Sequence, residues 1–415
     1  MNIAYRNYVL LLLMVVYIFN FIDRQILVIL QESIKAELGL CDQQLGLLSG
    51  FTFAVFYVVC GIPIARLADR YNRVNIVSAS LAIWSAMTAI SGLAANFVQL
   101  LAARIGVGVG EAGASPPSHS IISDYFPHEE RGRALSISSV GIYIGILIGF
   151  LAGGWINQYF GWRIAFLVVG APGILLAVVV RLTLREPLRG QLDAGNHESL
   201  PEGQFLADVK RIWALRSFRY SALGAGLNAF LGYGALNFMP SFTIRIYELP
   251  VGLVGTWLAL IVGLAGGVGV YAGGYLSDHL GKRDQRWPYR VAGISTMLAG
   301  LLLVPALLVD SQYVMWSFYT LVTLNASMFL GPTIAMAHAL VGPRYRALAS
   351  SLLFFVLNMI GLGLGPLTVG TVSDLLAPSL GVESIRWAIM TTSVAAVVGG
   401  SLYLLAARHV SEDLN

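Results

Sequence analysis

Ala65-Arg66-Leu67-Ala68-Asp69-Arg70-Tyr71-Asn72-Arg73 closes one long apolar run, and Gly274-Tyr275-Leu276-Ser277-Asp278-His279-Leu280-Gly281-Lys282 closes another in the second half of the chain. The two stretches align residue for residue. Two further echoes keep the same order: Asn20-Phe21 with Asn237-Phe238, and Arg133-Ala134-Leu135 with Arg346-Ala347-Leu348. A chain that repeats itself once at this scale, with apolar helices between the repeats, is one helical bundle built twice.

The 415 residues are 57% hydrophobic and 12% charged, with a mean hydropathy of +0.73, a balance that no water-soluble domain of this length tolerates. A helix needs about 20 apolar residues to cross the hydrocarbon. Runs that qualify lie near 8–30, 44–66, 74–95, 97–118, 134–157 and 162–182, then near 218–244, 251–276, 289–309, 312–338, 346–372 and 385–407. They are numbered here as spans one to twelve. The first is too long for a signal h-region and has no small-residue cleavage site, so it is expected to stay.

With alternate loops assigned to opposite sides, 20 of the 26 Lys and Arg fall on the side that holds both ends of the chain. That bias places both termini in the cytoplasm. The net charge of +4 sits in short loops with no clustered basic motif, so no nucleic-acid partner is expected. Compactness and the lack of targeting extensions point to a bacterial inner membrane, and a monomer is expected. Cys41 and Cys60 are too far apart along the chain path for a disulfide. Three parts are expected: a bundle over 1–185, a linker over 186–217 and a bundle over 218–415. The linker is polar over 186–203, and Phe205, Leu206, Val209, Ile212 and Trp213 then recur at helical spacing. They predict a short helix, either on the membrane surface or packed on the bundle ends.

Inside the apolar runs, Asn20-Phe21-Ile22-Asp23-Arg24 in span one and Arg104 and Glu111 in span four place two acids and two bases. A charge at the centre of a membrane helix costs roughly 2.5–3.5 kcal/mol on insertion scales. At about 1.5 Å per residue, Asp23 lies roughly 22 Å from one face, with Arg104 about 10 Å from the other and Glu111 about 10 Å deeper. In a core of roughly 30 Å, Asp23, Arg24 and Arg104 share one level. Four such charges sum to zero, the cheapest way to hold them out of water. Burial disfavours a charged carboxylate while a guanidinium favours it, so small movements can transfer a proton. Asp23 and Glu111 are therefore the candidate proton carriers, and Arg24 and Arg104 the candidate grips for an anionic headgroup, which a guanidinium fork suits. Static interhelical salt bridges are the plainer alternative.

The paired loops, the Arg104-Ile105-Gly106-Val107-Gly108-Val109-Gly110-Glu111-Ala112 run and the glycine-rich span five resemble the major facilitator superfamily over nearly the whole chain. Within it, Asn20–Arg24, Gly110-Glu111-Ala112 and Tyr233-Gly234-Ala235-Leu236-Asn237-Phe238-Met239-Pro240 are similar to the spinster group, whose animal members are associated with export of sphingosine phosphate and lysophospholipids. Organic-anion/proton symporters of the superfamily also carry Asp-Arg in span one and an Arg and a Glu in span four. The resemblance implies an all-α membrane protein of twelve transmembrane helices in two pseudo-symmetric six-helix bundles. It also makes Asp69 and Asp278 gate latches that pair with Arg70, Arg73 and Lys282 across a cytoplasmic seam. Ala65 and Asn72 depart from the loop pattern, standing where glycine is usual.

The second half has no charge at mid-depth and offers Asn237, Asn325 and Asn358 among Tyr233, Phe238, Met239, Phe329, Phe354 and Phe355. One charged and one apolar wall suit an amphiphile, with Asn20, Asn237 and Phe238 as further candidate contacts. Gly141, Gly145, Gly149 and Gly153 predict a backbone-close helix contact. Gly106-x-Gly108-x-Gly110 follows no strand and is no dinucleotide loop. Ser118, His119 and Asp124 lack a nucleophile elbow, and His338 reads as a packing histidine. No metal-ligand spacing appears. The sequence thus predicts a transporter, not an enzyme, without cofactor and driven by a proton gradient. Its expected cargo is a lysophospholipid-like anion, with small organic anions such as sugar acids as the alternative, and its other partners are the membrane lipids.

Overall fold

The structure, a computed structural model, describes residues 3–189 and 205–414 and is helical nearly throughout. Most of the expected linker, 190–204, lies outside the described residues. Spans one to six are Ile3–Leu38, Asp42–Arg70, Arg73–Ser91, Phe97–Tyr125, His128–Phe160 and Trp162–Thr183. Span seven is Arg216–Tyr247, followed by Val251–Gly281, Trp287–Leu308 and Gln312–Gly342. The last two run on from Tyr345 to Asp413 and are parted at Gly381, where φ is 56°. Among the described residues ten helical runs are long and apolar enough to cross a membrane. Dividing the Tyr345–Asp413 run in two and adding span seven, whose polar residues keep it from that group, gives the twelve that the sequence predicts.

Two compact units form. The first holds the described residues of spans one to six except Cys41–Gly46, and takes in Leu249–Ala259; the second holds Cys41–Gly46, span seven and the chain from Leu260 onward. Each unit thus contains a short segment from the other half's sequence. In the second, Asp42 accepts two hydrogen bonds from the Arg245 guanidinium at 2.7 and 2.6 Å and one from Ser373 Oγ at 2.6 Å. Asp374 caps the same segment by accepting from the Asp42 and Gln43 amides. In the first, Gln158 Oε1 accepts from the Gly252 amide at 2.9 Å, and Trp155 Nε1 donates to Thr256 Oγ1 at 3.1 Å. Small residues make both contacts possible: a Cβ on Gly46 would lie 2.4 Å from the Pro366 carbonyl oxygen, and one on Gly255 2.4 Å from that of Phe150. π-Helical turns at Leu47–Phe51 and Ile261–Ala265 fall where the chain re-enters its own unit.

The linker helix spans Phe205–Ala214. Ile212, only 2% exposed, packs it onto Phe218, Tyr289 and Met336 of the second unit, while Leu206 stays exposed. It is a helix docked on the bundle, the second of the two placements its sequence allows. Cys41 and Cys60 are free thiols.

Span five presses on span one through its glycines. Cβ atoms at Gly141 and Gly145 would stand 2.8 and 2.5 Å from the carbonyl oxygens of Met14 and Ile18, and Gly149 and Gly153 continue the line against Ile22 and Ile26. Two ridges of period four, glycine on one helix and larger side chains on the other, mesh backbone to side chain. Gly145→Ala is expected to cost about 1–3 kcal/mol by overpacking, read as a lower thermal midpoint of the purified protein. Gly132→Ala, where nothing among the described residues lies within 4 Å of the added carbon, is the matched control and should leave the midpoint in place.

Candidate functional site

Ile22 and Gln25 face the glycine line of span five, so Asp23 and Arg24 turn away from it, Asp23 toward spans three and four and Arg24 toward spans two and four. Glycine brings those helices close as well. A Cβ on Gly110 would lie 2.7 Å from the Trp84 amide nitrogen in span three, and one on Gly108 3.3 Å from the Phe53 carbonyl oxygen in span two. The Gly106–Gly110 run is therefore a packing surface that sets Glu111 among three neighbouring helices.

The four charges meet inside the first unit. Asp23, Arg104 and Glu111 are no more than 2% exposed, and Asn20 is fully buried beside Glu111. Arg24 differs, with 17% of its side chain exposed. Its Nε donates to Glu111 Oε2 at 2.7 Å. Its guanidinium carbon lies 5.0, 4.9 and 5.1 Å from the ring centroids of Phe21, Phe53 and Tyr57, within cation–π range of each. Behind this pair, both Asp23 oxygens, Glu111 Oε1, both Asn20 amide atoms and Arg104 Nε and Nη1 are buried without a hydrogen bond among the described residues. A buried polar atom left unsatisfied costs about 1–3 kcal/mol. With all four ionised the cluster sums to zero, and the mutual attraction of its members in a medium of low dielectric offsets part of the cost of burying them.

The sequence treats Arg24 and Arg104 as equals, and the structure separates them: Arg24 lies at the edge of the cluster under an aromatic cage, and Arg104 is sealed behind it. In the second unit, Phe238 and Met239 are fully buried. Asn237 Nδ2 donates to the Tyr233 carbonyl at 2.7 Å, and Asn325 and Asn358 do the same to Leu321 and Phe354, each four residues back on its own helix. Phe354 and Phe355 are exposed.

Of the five expected gate residues, Asp69, Arg70, Asp278 and Lys282 are exposed at helix ends, and among the described residues they form no ion pair. Arg73 is buried within its own unit. It pairs with Asp124 at 2.5 Å and Glu186 at 2.7 Å, and donates to Ser120 Oγ and the Pro187 carbonyl. Arg189 donates to the carbonyls of Ala68, Asp69 and Tyr71, covering the end of span two. Asn72, where the loop pattern has glycine, caps span three by accepting from the Asn75 amide at 2.9 Å. Nothing local in the sequence announces the partnership of Arg73 with Glu186. His119 stands edge-on to Tyr17, and His338 Nε2 meets Ser350 Oγ at 2.6 Å.

Twelve membrane helices in two copies of one design, with compensated charges buried in the first, define a membrane transporter rather than an enzyme. The chain belongs to the Major Facilitator Superfamily, whose pattern matches residues 13–366, and within it is of the spinster type. The structure of a bacterial homolog to the human lysosomal transporter Spinster, in an inward-facing and unoccupied conformation, matches with a TM-score of 0.91 and 32% identity, covering 100% of this chain and 99% of that one. An MFS-type efflux pump of Mycolicibacterium smegmatis is 31% identical over 95% of this chain and 91% of its own. A probable L-galactonate transporter of Escherichia coli is 27% identical over 97% and 90%.

Glu111→Gln removes the charge opposite Arg24 and is expected to cost up to about 3 kcal/mol, the low end for a buried pair because Arg24 is partly exposed. The double variant Arg24→Gln/Glu111→Gln should recover part of that loss. Thermal midpoints of the wild type, the double variant and both single variants, Arg24→Gln included, check this, and additive losses would show that the pair is not coupled.

Proposed function

We propose that the protein is a proton-coupled secondary transporter that moves an anionic amphiphile, a lysophospholipid or a sphingosine-phosphate-like lipid, across the membrane by alternating access. The observation that carries this reading is the Arg24–Glu111 ion pair at the edge of a buried, neutral cluster. An anion that binds Arg24 competes with Glu111 for the same guanidinium. A proton on Glu111 weakens its hold on Arg24, so proton and anion favour the same rearrangement. Bidentate phosphate binding suits the guanidinium, and the Phe21, Phe53 and Tyr57 rings around it suit the start of an acyl chain. Asp23 and Arg104 hold the reserve of charge behind. Both termini are assigned to the cytoplasm and the protein to a bacterial inner membrane, on the Lys and Arg bias of the loops and the bacterial relatives. Asp69, Asp278 and their basic neighbours then act as latches that pair in the opposite access state.

The second reading is a proton-coupled carrier of small organic anions. It is favoured by the Escherichia coli relative, described as a probable L-galactonate transporter. The same guanidinium serves a sugar-acid carboxylate.

Thermal stabilisation separates them, because a ligand of the folded state raises apparent stability by mass action. Lysophosphatidylglycerol and sphingosine phosphate are expected to stabilise the wild type at about pH 5.5 and 7.5 to different extents, and to lose their effect in Arg24→Gln. Stabilisation by L-galactonate instead would select the second reading. In proteoliposomes, Asp23→Asn is expected to flatten the pH dependence of uptake, while an unchanged profile would transfer the proton to Glu111.

A further inference from the structure

Thr88 lies on span three, fully buried, one turn beyond the Trp84 backbone against which Gly110 packs. Its hydroxyl is not bonded to its own helix. Ser91 in the same span returns a hydrogen bond to the Met87 carbonyl, as Thr243 and Thr333 do four residues back in the second unit, whereas Thr88 Oγ1 makes none. The acid beside it is Asp23, whose two carboxyl oxygens are, like the Thr88 hydroxyl, buried without a hydrogen bond among the described residues. Asp23 is otherwise faced by Arg104 and Glu111 of span four. Span five brings only its glycine line, and His119 of the span-four continuation lies against Tyr17.

Resting on the proton-coupled reading above, we infer that Thr88 is a positioning residue for Asp23, a neutral partner that serves the carboxyl both with and without its proton. A hydroxyl donates one hydrogen bond and accepts two, whereas a guanidinium only donates. Arg104 can therefore serve a charged Asp23, but it has nothing to offer the O–H of a protonated one. Thr88 donates to the carboxylate and, by turning its hydroxyl, accepts from the acid. Asn20 stands in the same relation to Glu111, since its amide both donates and accepts and both of its polar atoms are buried without a hydrogen bond. Each acid thus has a guanidinium neighbour for its charged state, Arg104 shared between the two and Arg24 on Glu111, and one neutral neighbour for both states. This makes Asn20 a partner of the acid rather than of the cargo.

The test is infrared difference spectroscopy of the full chain in liposomes, titrated with pH and needing no substrate. The wild type is expected to show the carbonyl stretch of a buried carboxylic acid that Asp23→Asn removes. Thr88→Val should move that band to higher frequency, as a lost hydrogen bond does, and should displace its pH midpoint by about 0.5–1 unit. Thr88→Ser should restore both, and Thr88→Ala serves if the valine variant does not fold. Thr296→Val, at a hydroxyl equally buried and unbonded in span nine, should change neither. An Asp23 band indifferent to Thr88→Val and Thr88→Ala overturns the positioning role alone. Absence of any Asp23 band in the wild type removes the proton on Asp23, and this inference with it.

Discussion

Two carboxylates and two guanidinium groups share the interior of one helical bundle, and their zero sum is the constraint on which the rest of that bundle depends. In a medium of low dielectric an uncompensated charge is far more costly than in water, so each member of the set is tolerable only while the others keep their distance and state. Adding a proton or an anion disturbs that balance at once. Arg24 is where such a disturbance can enter, because it alone of the four keeps part of its side chain exposed while bonded to Glu111.

Holding such a set needs a scaffold that does not yield. Span one, which carries Asp23 and Arg24, lies against the glycine line of span five, and span four, which carries Arg104 and Glu111, lies with its own glycines against spans two and three. Backbone-close contact on both sides fixes the depth and rotation of the two charged helices. The aromatic rings around Arg24 come from spans one and two, and Gly108 brings Phe53 to them.

The second unit follows the same helical plan without the charges. Asn237, Asn325 and Asn358 each donate one hydrogen bond to a carbonyl of their own helix, which occupies one of the two donors of each amide, Asn228 donates to the Ala326 carbonyl of span ten, and the aromatic side chains divide between buried Phe238 and exposed Phe354 and Phe355. The repeat thus carries one architecture and two chemistries. Both units also hold a short segment from the other half's sequence, Cys41–Gly46 in one and Leu249–Ala259 in the other, so the plan repeats even in its exception.

The helical class, the number of spans, the twofold repeat and the four intramembrane charges were all legible in the residues, because apolar length, positive-charge bias and the cost of burying charge act locally along a chain. The glycine periodicity of span five predicted a close contact, though not that span one would be its partner. Residue spacing alone made Arg24 and Arg104 equivalent, and the family resemblance of the loop made Arg73 a latch. Only the packed helices decided that Arg24 is caged at an edge, that Arg104 is sealed behind it, and that Arg73 is held by Asp124 and Glu186, which lie far from it in sequence. Thr88 carried no signal at all in the sequence, since a threonine in an apolar helix ordinarily bonds its own backbone. Its position beside Asp23 follows from how three helices rotate against one another, and rotation is set by contacts between residues the chain keeps apart.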